Sequence, residues 1–398
     1  MGKINRLDNN CKLTGKRVLL RVDFNVPINK GFITESSRID KVLPTINFLI
    51  KKNAKIIIIS HIGRPKGKVI PNLTLKPIAE KLSKLINKNV FFSNESIGLA
   101  TIERSKKISN GEILMLENLR FNKEEELNEE SFAKKLSKLG DVYVNEAFSC
   151  SHRAHASVSK ITNYIKSFAG IELIKEINSI SMLTDGAKKP IACIIGGSKI
   201  STKIAILKNL IKKMETIVIV GAMANNFIKH EGFNIGKSVF EKYAENLEGN
   251  ILKLAKTNNC NLITPQDVLV SKNLNSPGKV KNLAEIDDTD LILDIGNKTI
   301  ETILDIIDNS KTVLWNGPAG YFEIKEFSKG SNMIAKKIVE NTKNKSLTSI
   351  AGGGDTVAAI NKFGYSKGFT YLSTAGGAFL ELLEGKILPG IKALETNE

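Results

Sequence analysis

Residues 55–65 read KIIIISHIGRP, an uninterrupted apolar run followed at once by histidine, glycine and arginine. Four consecutive isoleucines predict a strand that is buried on both faces, as in a parallel sheet covered by helices. The pattern recurs along the chain, where short β-branched runs alternate with longer, lysine-rich amphipathic stretches. We predict strands at residues 17–22, 55–60, 112–117, 141–145, 190–195, 216–220, 261–264, 291–295, 311–315, 348–351 and 370–373. This alternation indicates an α/β fold class with two doubly wound, Rossmann-like parallel-sheet domains.

The length of the chain predicts two domains. A chain of 398 residues exceeds the size at which a single hydrophobic core keeps growing. Residues 171–183 predict a helix, and TDGAKKP at 184–190 predicts its end and a boundary. We therefore predict an N-terminal domain at 1–170, a hinge helix and linker at 171–189, a C-terminal domain at 190–380 and a C-terminal segment at 381–398.

Arginine is confined to the first part of the chain. Of the 58 basic residues, eight are arginine, and none follows Arg153. The planar guanidinium binds carboxylate and phosphate through two parallel hydrogen bonds, which a lysine ammonium cannot reproduce. We therefore expect the first half to bind a small, strongly anionic molecule. Arg6, Arg17 and Arg104 are interpreted as ordinary surface charges.

The net charge of +17 does not by itself indicate a nucleic-acid-binding protein. Lysines are scattered, aromatic residues make up 6% of the chain, and no basic stretch interleaves the two. An RNA-binding protein would explain the charge but not the confinement of arginine; salt-dependent retention on polyanions would test it. A polar N-terminus and short apolar runs favour a soluble, cytoplasmic protein without a membrane span. Four separated cysteines argue against a disulfide framework or a zinc site.

Charged and imidazole-bearing segments follow the strands predicted in the first half. They are DFN at 23–25, HIGRP at 61–65, NLRF at 118–121 and SHRAH at 151–155. Ligands of doubly wound folds gather at the carboxyl ends of the strands, so we expect these segments to contact the anion. His61, His152 and His155 each lie within three positions of an arginine. This proximity favours histidine as an extra hydrogen-bond donor over histidine as a zinc ligand.

Glycine predominates after the strands predicted in the second half. The segments are GGSK at 196–199, GAMAN at 221–225, NGPAG at 316–320, GGGDT at 352–356 and TAGGA at 374–378. Glycine lets backbone amides approach a ligand closely, so we expect this half to hold an extended phosphate ligand. The spacing fits neither a P-loop nor a dinucleotide fingerprint, which argues against a nicotinamide dehydrogenase.

Several side chains near these glycines allow two interpretations. Lys199 and Lys203 are one helical turn apart and could face one polyphosphate at a helix start, although such turns also occur without a ligand. Asp355 suits magnesium and Thr356 could open a helix, but the alternative is a plain helix cap with Asp355 stabilising the helix dipole. Glu323 could accept hydrogen bonds from a ribose.

Eight motifs together resemble the phosphoglycerate kinase family. They are RVLLRVDFNVP at 17–27, SHIGRPKG at 60–67, ENLRF at 117–121, HRAHAS at 152–157, GGSKISTKI at 196–204, WNGP at 315–318, GGGDT at 352–356 and ELLEGKILPG at 381–390. The match runs in order from the first strand to the C-terminus. Chance agreement at so many separated sites is not credible.

The resemblance implies a reversible, Mg²⁺-dependent transfer of a phosphoryl group from 1,3-bisphosphoglycerate to ADP, giving 3-phosphoglycerate and ATP, in glycolysis and gluconeogenesis. It implies two domains around a central cleft, joined by a hinge helix, with a C-terminal segment that returns to the N-terminal domain. The expected partners are these small molecules, with no membrane and no specific nucleic acid. The expected state is a cytoplasmic monomer.

The resemblance also assigns residues to the two substrates. The implied phosphoglycerate-binding residues are Asp23, Asn25, Arg38, His61, Ile62, Gly63, Arg64, Arg120 and Arg153. The implied nucleotide-binding residues are Lys203, Asn316, Glu323, Gly353, Gly354, Asp355 and Thr356, with Lys199 beside them. Asp355 is the implied metal ligand. Arg38, Lys199 and Lys203 are the implied catalytic residues.

The reaction explains why no candidate general base follows any predicted strand. The nucleophile is already ionised in both directions, so catalysis must come from positioning and charge neutralisation. Because the two substrates are assigned to different halves, we expect the domains to close and exclude water.

Three residues depart from the family pattern. Ala375 replaces a glycine, and Phe379 stands where serine is common. The Ala375 methyl group either crowds the transferred phosphate or is tolerated in a helical conformation. Cys150 lies close to His152 and Arg153, so we expect a reactive thiolate, with a buried, inert cysteine as the alternative.

Overall fold

The computed structural model describes residues 2–29, 31–184, 186–242, 246–345 and 347–396. The chain forms two compact units, one of Met1–Asn178 with Ile387–Glu398 and one of Ser179–Lys386. Asp185 of the predicted linker and residues 397–398 of the predicted C-terminal segment lie outside the described residues. In the described ranges, no helix is both long and apolar enough to cross a bilayer.

The first unit is built on a six-stranded parallel sheet. The described residues of the first unit form eight strands in all, which are β1 (Arg17–Arg21), β2 (Ile28–Asn29), β3 (Phe32–Ile33), β4 (Lys55–Ile59), β5 (Val90–Ser93), β6 (Ile113–Leu116), β7 (Val142–Asn145) and β8 (Ser167–Ala169). The sheet order is β5-β6-β4-β1-β7-β8, and β2 pairs with β3 in a separate antiparallel ribbon. Ile56 to Ile59 are fully buried, as the isoleucine run predicts for a strand covered on both faces.

Amphipathic helices cover this sheet. They are α1 (Ser37–Lys51), α2 (Lys76–Ile86), α3 (Leu99–Lys107), α4 (Lys123–Glu126), α5 (Glu130–Ser137) and α6 (Ile171–Thr184). The division between the two units falls inside α6. The C-terminal segment packs in the first unit, where the Gly390 amide donates to the Ser151 carbonyl at 2.8 Å and the Thr396 amide donates to the Lys3 carbonyl at 2.9 Å.

The second unit contains a parallel sheet and a smaller antiparallel one. The strands are β9 (Ile191–Ile195), β10 (Thr216–Ile219), β11 (Asn261–Ile263), β12 (Asp267–Ser271), β13 (Lys279–Asn282), β14 (Leu291–Ile295), β15 (Thr312–Asn316), β16 (Thr348–Gly352) and β17 (Tyr371–Ser373). The parallel sheet has the order β11-β10-β9-β15-β16-β17, and β13-β12-β14 form the antiparallel sheet.

The remaining helices follow the glycine segments or lie between strands. They are α7 (Ile204–Leu210), α8 (Ala224–His230), α9 (Leu247–Thr257), α10 (Asn297–Asn309), α11 (Lys329–Asn344), α12 (Gly354–Lys362) and α13 (Gly376–Leu383) in the second unit, and α14 (Pro389–Lys392) in the C-terminal segment of the first unit. The second unit therefore repeats the strand–helix alternation of the first.

Every predicted strand is present, but one was assigned to the wrong kind of sheet. Leu291–Ile295 pairs antiparallel with Asp267–Ser271 and does not belong to either parallel sheet. Its apolar run does not distinguish the two kinds of sheet, because a strand of a covered antiparallel sheet can be equally apolar. The prediction missed six of the strands that the structure describes, which are Ile28–Asn29, Phe32–Ile33, Val90–Ser93, Ser167–Ala169, Asp267–Ser271 and Lys279–Asn282. Most of these are short or partly exposed, whereas Asp267–Ser271 is largely buried.

Candidate functional site

Asp23 organises the arginine-rich site of the first unit. Asp23 follows β1, and Arg38 lies in the first turn of α1. The Arg38 guanidinium and the Ser149 hydroxyl both donate to one oxygen of the Asp23 carboxylate. The Arg38 side chain is 32% exposed, whereas that of Asp23 is 8% exposed. Asp23 therefore fixes the guanidinium from one side and leaves part of it open to a ligand.

His61 is held by a second arginine. Its Nδ1 lies 3.2 Å from Arg21 Nη2 and 3.9 Å from Asp23 Oδ1. Because a guanidinium can only donate, Nδ1 accepts and the ring proton belongs on Nε2. Burial, together with the charge of Arg21, lowers the pKa of His61 well below its ordinary value. His61 is therefore neutral, with its ring proton on Nε2.

Arg21 is a component of this site to which the sequence assigned no role. Its side chain is wholly buried, and its Nε donates to Ser157 Oγ at 2.8 Å. An arginine is rarely buried without a partner. The arginine at the end of a predicted buried strand, in the RVDF segment at 21–24, could therefore have identified Arg21 as part of the site. Arg21 acts on the site through His61.

The loop after β4 is shaped by side chains from two other strand ends. Asn25 Oδ1 accepts from the Gly63 amide at 2.9 Å, and Arg120 Nη1 donates to the Gly63 carbonyl at 2.7 Å. Gly63 has φ +64°, and a Cβ there would lie 2.8 Å from the Leu73 side chain. The amide of Ile62 donates to Asn118 Oδ1 at 3.3 Å. Asn25 and Arg120 therefore hold the loop in addition to any ligand contact.

The two remaining predicted arginines have different surroundings. Arg64 is exposed, and its guanidinium has no partner among the described residues. Arg153 is partly buried and donates from Nε to His152 Nε2 at 3.2 Å. His155 is buried, with Nδ1 3.9 Å from Glu125 Oε1. Burial and nearby arginines lower the pKa of His155 to about 3.

The three arginines interpreted as surface charges behave as such. Arg6 is exposed. Arg17 pairs with Asp141, with Nη2 at 2.6 Å from Oδ1. Arg104 donates to the Phe92 carbonyl at 2.7 Å.

The prediction of a reactive thiolate at Cys150 is wrong. Cys150 is 5% exposed, and burial, followed by the charge of Asp23, raises the pKa of the thiol to about 11. The adjacent arginines do not overcome this desolvation. Ligand atoms of Cys150, His61 and Asp23 lie within 4.8 Å of one another, but the guanidinium groups on His61 and Asp23 disfavour a cation there.

In the second unit, Asn316 joins three segments at the ends of strands. The Lys203 ammonium donates to Asn316 Oδ1. Asn316 Nδ2 donates to the Gly352 carbonyl at 2.6 Å, and the Gly317 amide donates to Thr356 Oγ1 at 2.7 Å. Asn316 is 2% exposed, and burial lowers the pKa of Lys203. These contacts fix the predicted nucleotide residues relative to one another.

Lys199 and Lys203 do not lie on the same helix. The expected helical turn between them is absent, because α7 begins at Ile204 with Lys203 as its N-cap, and the contact of both ammoniums with one ligand stays a prediction. The Thr202 hydroxyl donates to the Lys199 carbonyl at 2.9 Å, which stabilises a turn instead. Lys199 is exposed, and its ammonium has no partner in the described part of the chain.

The GGGDT segment places a carboxylate at the start of α12. Gly353 is the N-cap residue, with φ +100°. Asp355 lies in the first turn, a position from which its charge stabilises the helix dipole, as the structural alternative expected. Gly354 and Asp355 are exposed, and the Asp355 carboxylate has no partner among the described residues.

A cavity of about 230 Å³ lies next to these segments. Its wall includes Asp355 and Glu323 together with glycines that follow β9 and β10. Glu323 is exposed, and its carbonyl accepts from Lys362 Nζ at 2.7 Å. The rest of the wall is mostly apolar. It includes the side chains of Ala222, Ile228, Val268, Leu291 and Leu293, to which the sequence assigned no ligand contact.

The structure shows an unstrained backbone at Ala375 and a packing role for Phe379. Ala375 is the N-cap of α13, with φ −93° and ψ 27°, a conformation open to any L-residue. Phe379 is wholly buried, and a Cβ on Gly352 would lie 2.6 Å from its ring. The ring therefore packs directly on Gly352 at the end of β16.

Comparisons with known proteins agree with these features. The family described as Phosphoglycerate kinase matches residues 8–386. The phosphoglycerate kinase of Wolbachia pipientis wMel is 48% identical over 390 residues, with 98% of both chains covered. That of Bartonella bacilliformis is 44% identical over 391 residues, with 98% of both chains covered.

Two solved structures extend the agreement to the fold. Phosphoglycerate kinase from Coxiella burnetii has a TM-score of 0.89 and 39% identity, with 97% of both chains covered. The enzyme from Pyrococcus horikoshii OT3 has a TM-score of 0.80 and 29% identity, with 98% of both chains covered. The predicted fold class and enzyme class are confirmed. The chain belongs to the phosphoglycerate kinase family.

Proposed function

We propose that this chain performs the phosphoglycerate kinase reaction by binding the phosphoglycerate in its first unit and the nucleotide in its second. The reaction transfers a phosphoryl group reversibly from 1,3-bisphosphoglycerate to ADP, giving 3-phosphoglycerate and ATP. The observation that carries the proposal is the division of chemistry between the units. Guanidinium and imidazole donors cluster around Asp23, whereas glycine segments border the cavity beside Asn316.

In the first unit, guanidinium and imidazole groups would together donate hydrogen bonds to the phosphoglycerate. Arg38 and Arg64 offer open guanidinium groups, and neutral His61 offers Nε2–H. Asp23 would orient Arg38 and meet the substrate hydroxyl. The full proposed set is Asp23, Asn25, Arg38, His61, Ile62, Gly63, Arg64, Arg120 and Arg153.

In the second unit, the cavity would seat the nucleoside and the adjoining segments would hold the phosphates. Glu323, at the cavity wall, is suited to accept hydrogen bonds from ribose hydroxyls. The Lys203 ammonium is held by Asn316 close to the amides of GGGDT. The full proposed set is Lys203, Asn316, Glu323, Gly353, Gly354, Asp355 and Thr356.

Asp355 fits the metal that the family normally uses. Its carboxylate is exposed and unpaired among the described residues, and Mg²⁺ prefers one or two carboxylates together with phosphate oxygens and water. We propose Asp355 as the protein ligand of Mg²⁺. The bound ion would neutralise charge on the nucleotide phosphates.

Catalysis would rest on positioning and charge neutralisation. The acceptor is an ionised carboxylate in one direction and an ADP phosphate oxygen in the other, so neither needs a general base. Arg38, Lys199 and Lys203 would stabilise the negative charge on the transferred group. Lys199, exposed and unpaired in the described chain, is available for that contact.

Closure of the two units is part of the proposal. The substrates are assigned to different units, and the reacting oxygen must reach the phosphorus directly. Closure would also exclude water that hydrolyses the acyl phosphate. We expect small-angle scattering to show a smaller radius of gyration with both substrates than with either alone. We also expect a monomer that works in the cytoplasm, where the enzyme's substrates are available.

A coupled assay tests the proposed function. The purified chain is mixed with ADP, Mg²⁺ and 1,3-bisphosphoglycerate made in situ, and ATP is detected through hexokinase and glucose-6-phosphate dehydrogenase. We expect ATP formation that requires all three components. Arg38→Ala protein purified in the same way controls for contaminating kinases. Failure of the native chain to exceed that control would refute the proposal.

A further inference from the structure

Asn225 lines the cavity of the second unit and is almost fully buried. It belongs to α8, which follows β10, and its side chain is 1% exposed. Nearby on the cavity wall are Ile228, Val268 and Leu293. An amide side chain in apolar surroundings must satisfy both its oxygen and its nitrogen or lose free energy.

Only one end of the Asn225 amide is satisfied. Nδ2 donates to the Val239 carbonyl at 2.8 Å, whereas Oδ1 is buried and has no partner in the described part of the chain. Rotating the amide by 180° would place Oδ1 against the Val239 carbonyl, where two acceptors would meet. The contact with Val239 therefore fixes Oδ1 as the unpaired group.

The neighbouring asparagine shows the contrast. Asn226 is also buried, but both ends of its amide are paired. Nδ2 donates to the Glu241 carbonyl at 2.7 Å and to Glu248 Oε1 at 2.9 Å, and Oδ1 accepts from the Glu241 amide at 3.1 Å. Buried side-chain atoms are paired in most proteins. The unpaired oxygen on Asn225 therefore calls for a donor from outside the chain.

We propose that Asn225 Oδ1 accepts a hydrogen bond from the 6-amino group of adenine and so selects adenine nucleotides. This inference rests on the proposed seating of the nucleoside in the cavity. A buried carbonyl oxygen favours a base with an amino group at this position. It repels a base with a 6-oxo group, because two acceptors would then face each other without water between them.

The first test uses the native enzyme and two analogues of ADP. Purine riboside 5′-diphosphate lacks only the 6-amino group, and IDP carries a 6-oxo group instead. We expect kcat/KM to be about tenfold lower for the first, equal to ~1.4 kcal/mol, and lower still for IDP. Equal kcat/KM for ADP and purine riboside 5′-diphosphate would overturn the proposal.

The second test removes the acceptor. Asn225→Leu should bring the kcat/KM ratio of ADP to purine riboside 5′-diphosphate close to one. The ratio does not depend on how much of the preparation is folded, since both nucleotides meet the same enzyme. Asn226→Leu is the matched control and should keep the native ratio. A native ratio in Asn225→Leu, or an equal drop in Asn226→Leu, would overturn the assignment.

A third variant separates this inference from the proposed function. Ala222→Phe narrows the cavity, so it should raise the KM of ADP and of the analogue by a similar factor. If it does so while the native enzyme treats both nucleotides alike, the cavity seats the base and only the role of Asn225 fails. If Ala222→Phe leaves both KM values unchanged, the nucleoside does not bind in the cavity, and the inference about Asn225 is refuted as well.

Discussion

The Lys203 ammonium donates a hydrogen bond to the side-chain carbonyl of Asn316, 113 positions further along the chain. Asn316 in turn donates to the Gly352 carbonyl, so three segments at strand ends are joined through one asparagine. All of these groups are held by contacts within the protein itself. Such preorganisation lets a site stabilise charge without first rearranging its own dipoles.

Replacing Lys203 by methionine should selectively weaken nucleotide binding. The substitution keeps the length of the side chain but removes the ammonium, and a lost charged hydrogen bond costs about 1.5–3 kcal/mol. We expect the Kd of ATP to rise roughly 10- to 100-fold, with little change for 3-phosphoglycerate, as measured by titration calorimetry. Lys208→Met, an exposed residue of α7, is the control. Similar effects of the two variants would contradict the role of Lys203.

Replacing Asp355 by asparagine should raise the Mg²⁺ requirement. The variant keeps the shape of the side chain and removes the charge that suits the ion. We expect the Mg²⁺ concentration for half-maximal turnover to rise by about tenfold, read from activity against free Mg²⁺ at fixed ATP. Asp305→Asn, at an exposed position of α10, should leave it unchanged. An unaltered Mg²⁺ dependence in the Asp355 variant would assign the metal elsewhere.

His155 should destabilise the folded state as the pH drops below about 6.5. Burial lowers the pKa of this histidine to about 3 in the folded state, whereas the unfolded chain binds the proton near the ordinary pKa of about 6.5. The unfolded state therefore binds more protons between these two pH values. The free energy of unfolding falls by at most ~1.4 kcal/mol per pH unit from this group.

Between pH 7 and 4.5, the free energy of unfolding of the His155→Gln variant should fall less, or rise more, than that of the native protein. Urea unfolding between pH 4.5 and 7 would measure it, with the exposed His230→Gln as the control. The His230 variant should retain the native dependence. An identical dependence of the unfolding free energy on pH in the native protein and in both variants would contradict the effect assigned to the burial of His155.

Alkylation should leave Cys150 unmodified in the folded protein. With a pKa of about 11, roughly one thiol in a thousand is ionised at pH 8, and the side chain is buried. Partly exposed Cys11 should react with iodoacetamide first, as mapped by mass spectrometry, and all four cysteines should react in urea. Fast labelling of Cys150 that 3-phosphoglycerate blocks would restore the reactive-thiol hypothesis.

Much of the fold could be predicted from the sequence because buried parallel strands leave a distinct pattern. Runs such as residues 56–59 are apolar throughout and lie inside the sheet as expected. Leu291–Ile295 carries a similar run yet pairs antiparallel. Apolar character reports burial but not the direction of the partner strand.

The site was predictable in its residue types and less so in its geometry. Asp23 and His61 come together, as expected of residues that follow neighbouring strands, and Arg38 joins them from the first turn of α1. Cys150 was misjudged because its sequence neighbours showed charge but not desolvation. The buried partner of His61, Arg21, and the unpaired oxygen of Asn225 depend on three-dimensional contacts that no local pattern records.

The Arg38→Ala variant tests the division of substrates between the units most directly. Turnover and the Kd of ATP are measured on the same preparation, with Arg104→Ala as a surface control. We predict that turnover falls about 100- to 1000-fold while the Kd of ATP stays within about twofold of the native value, since Arg38 belongs to the first unit. A loss of ATP affinity comparable to the loss of turnover would contradict the account.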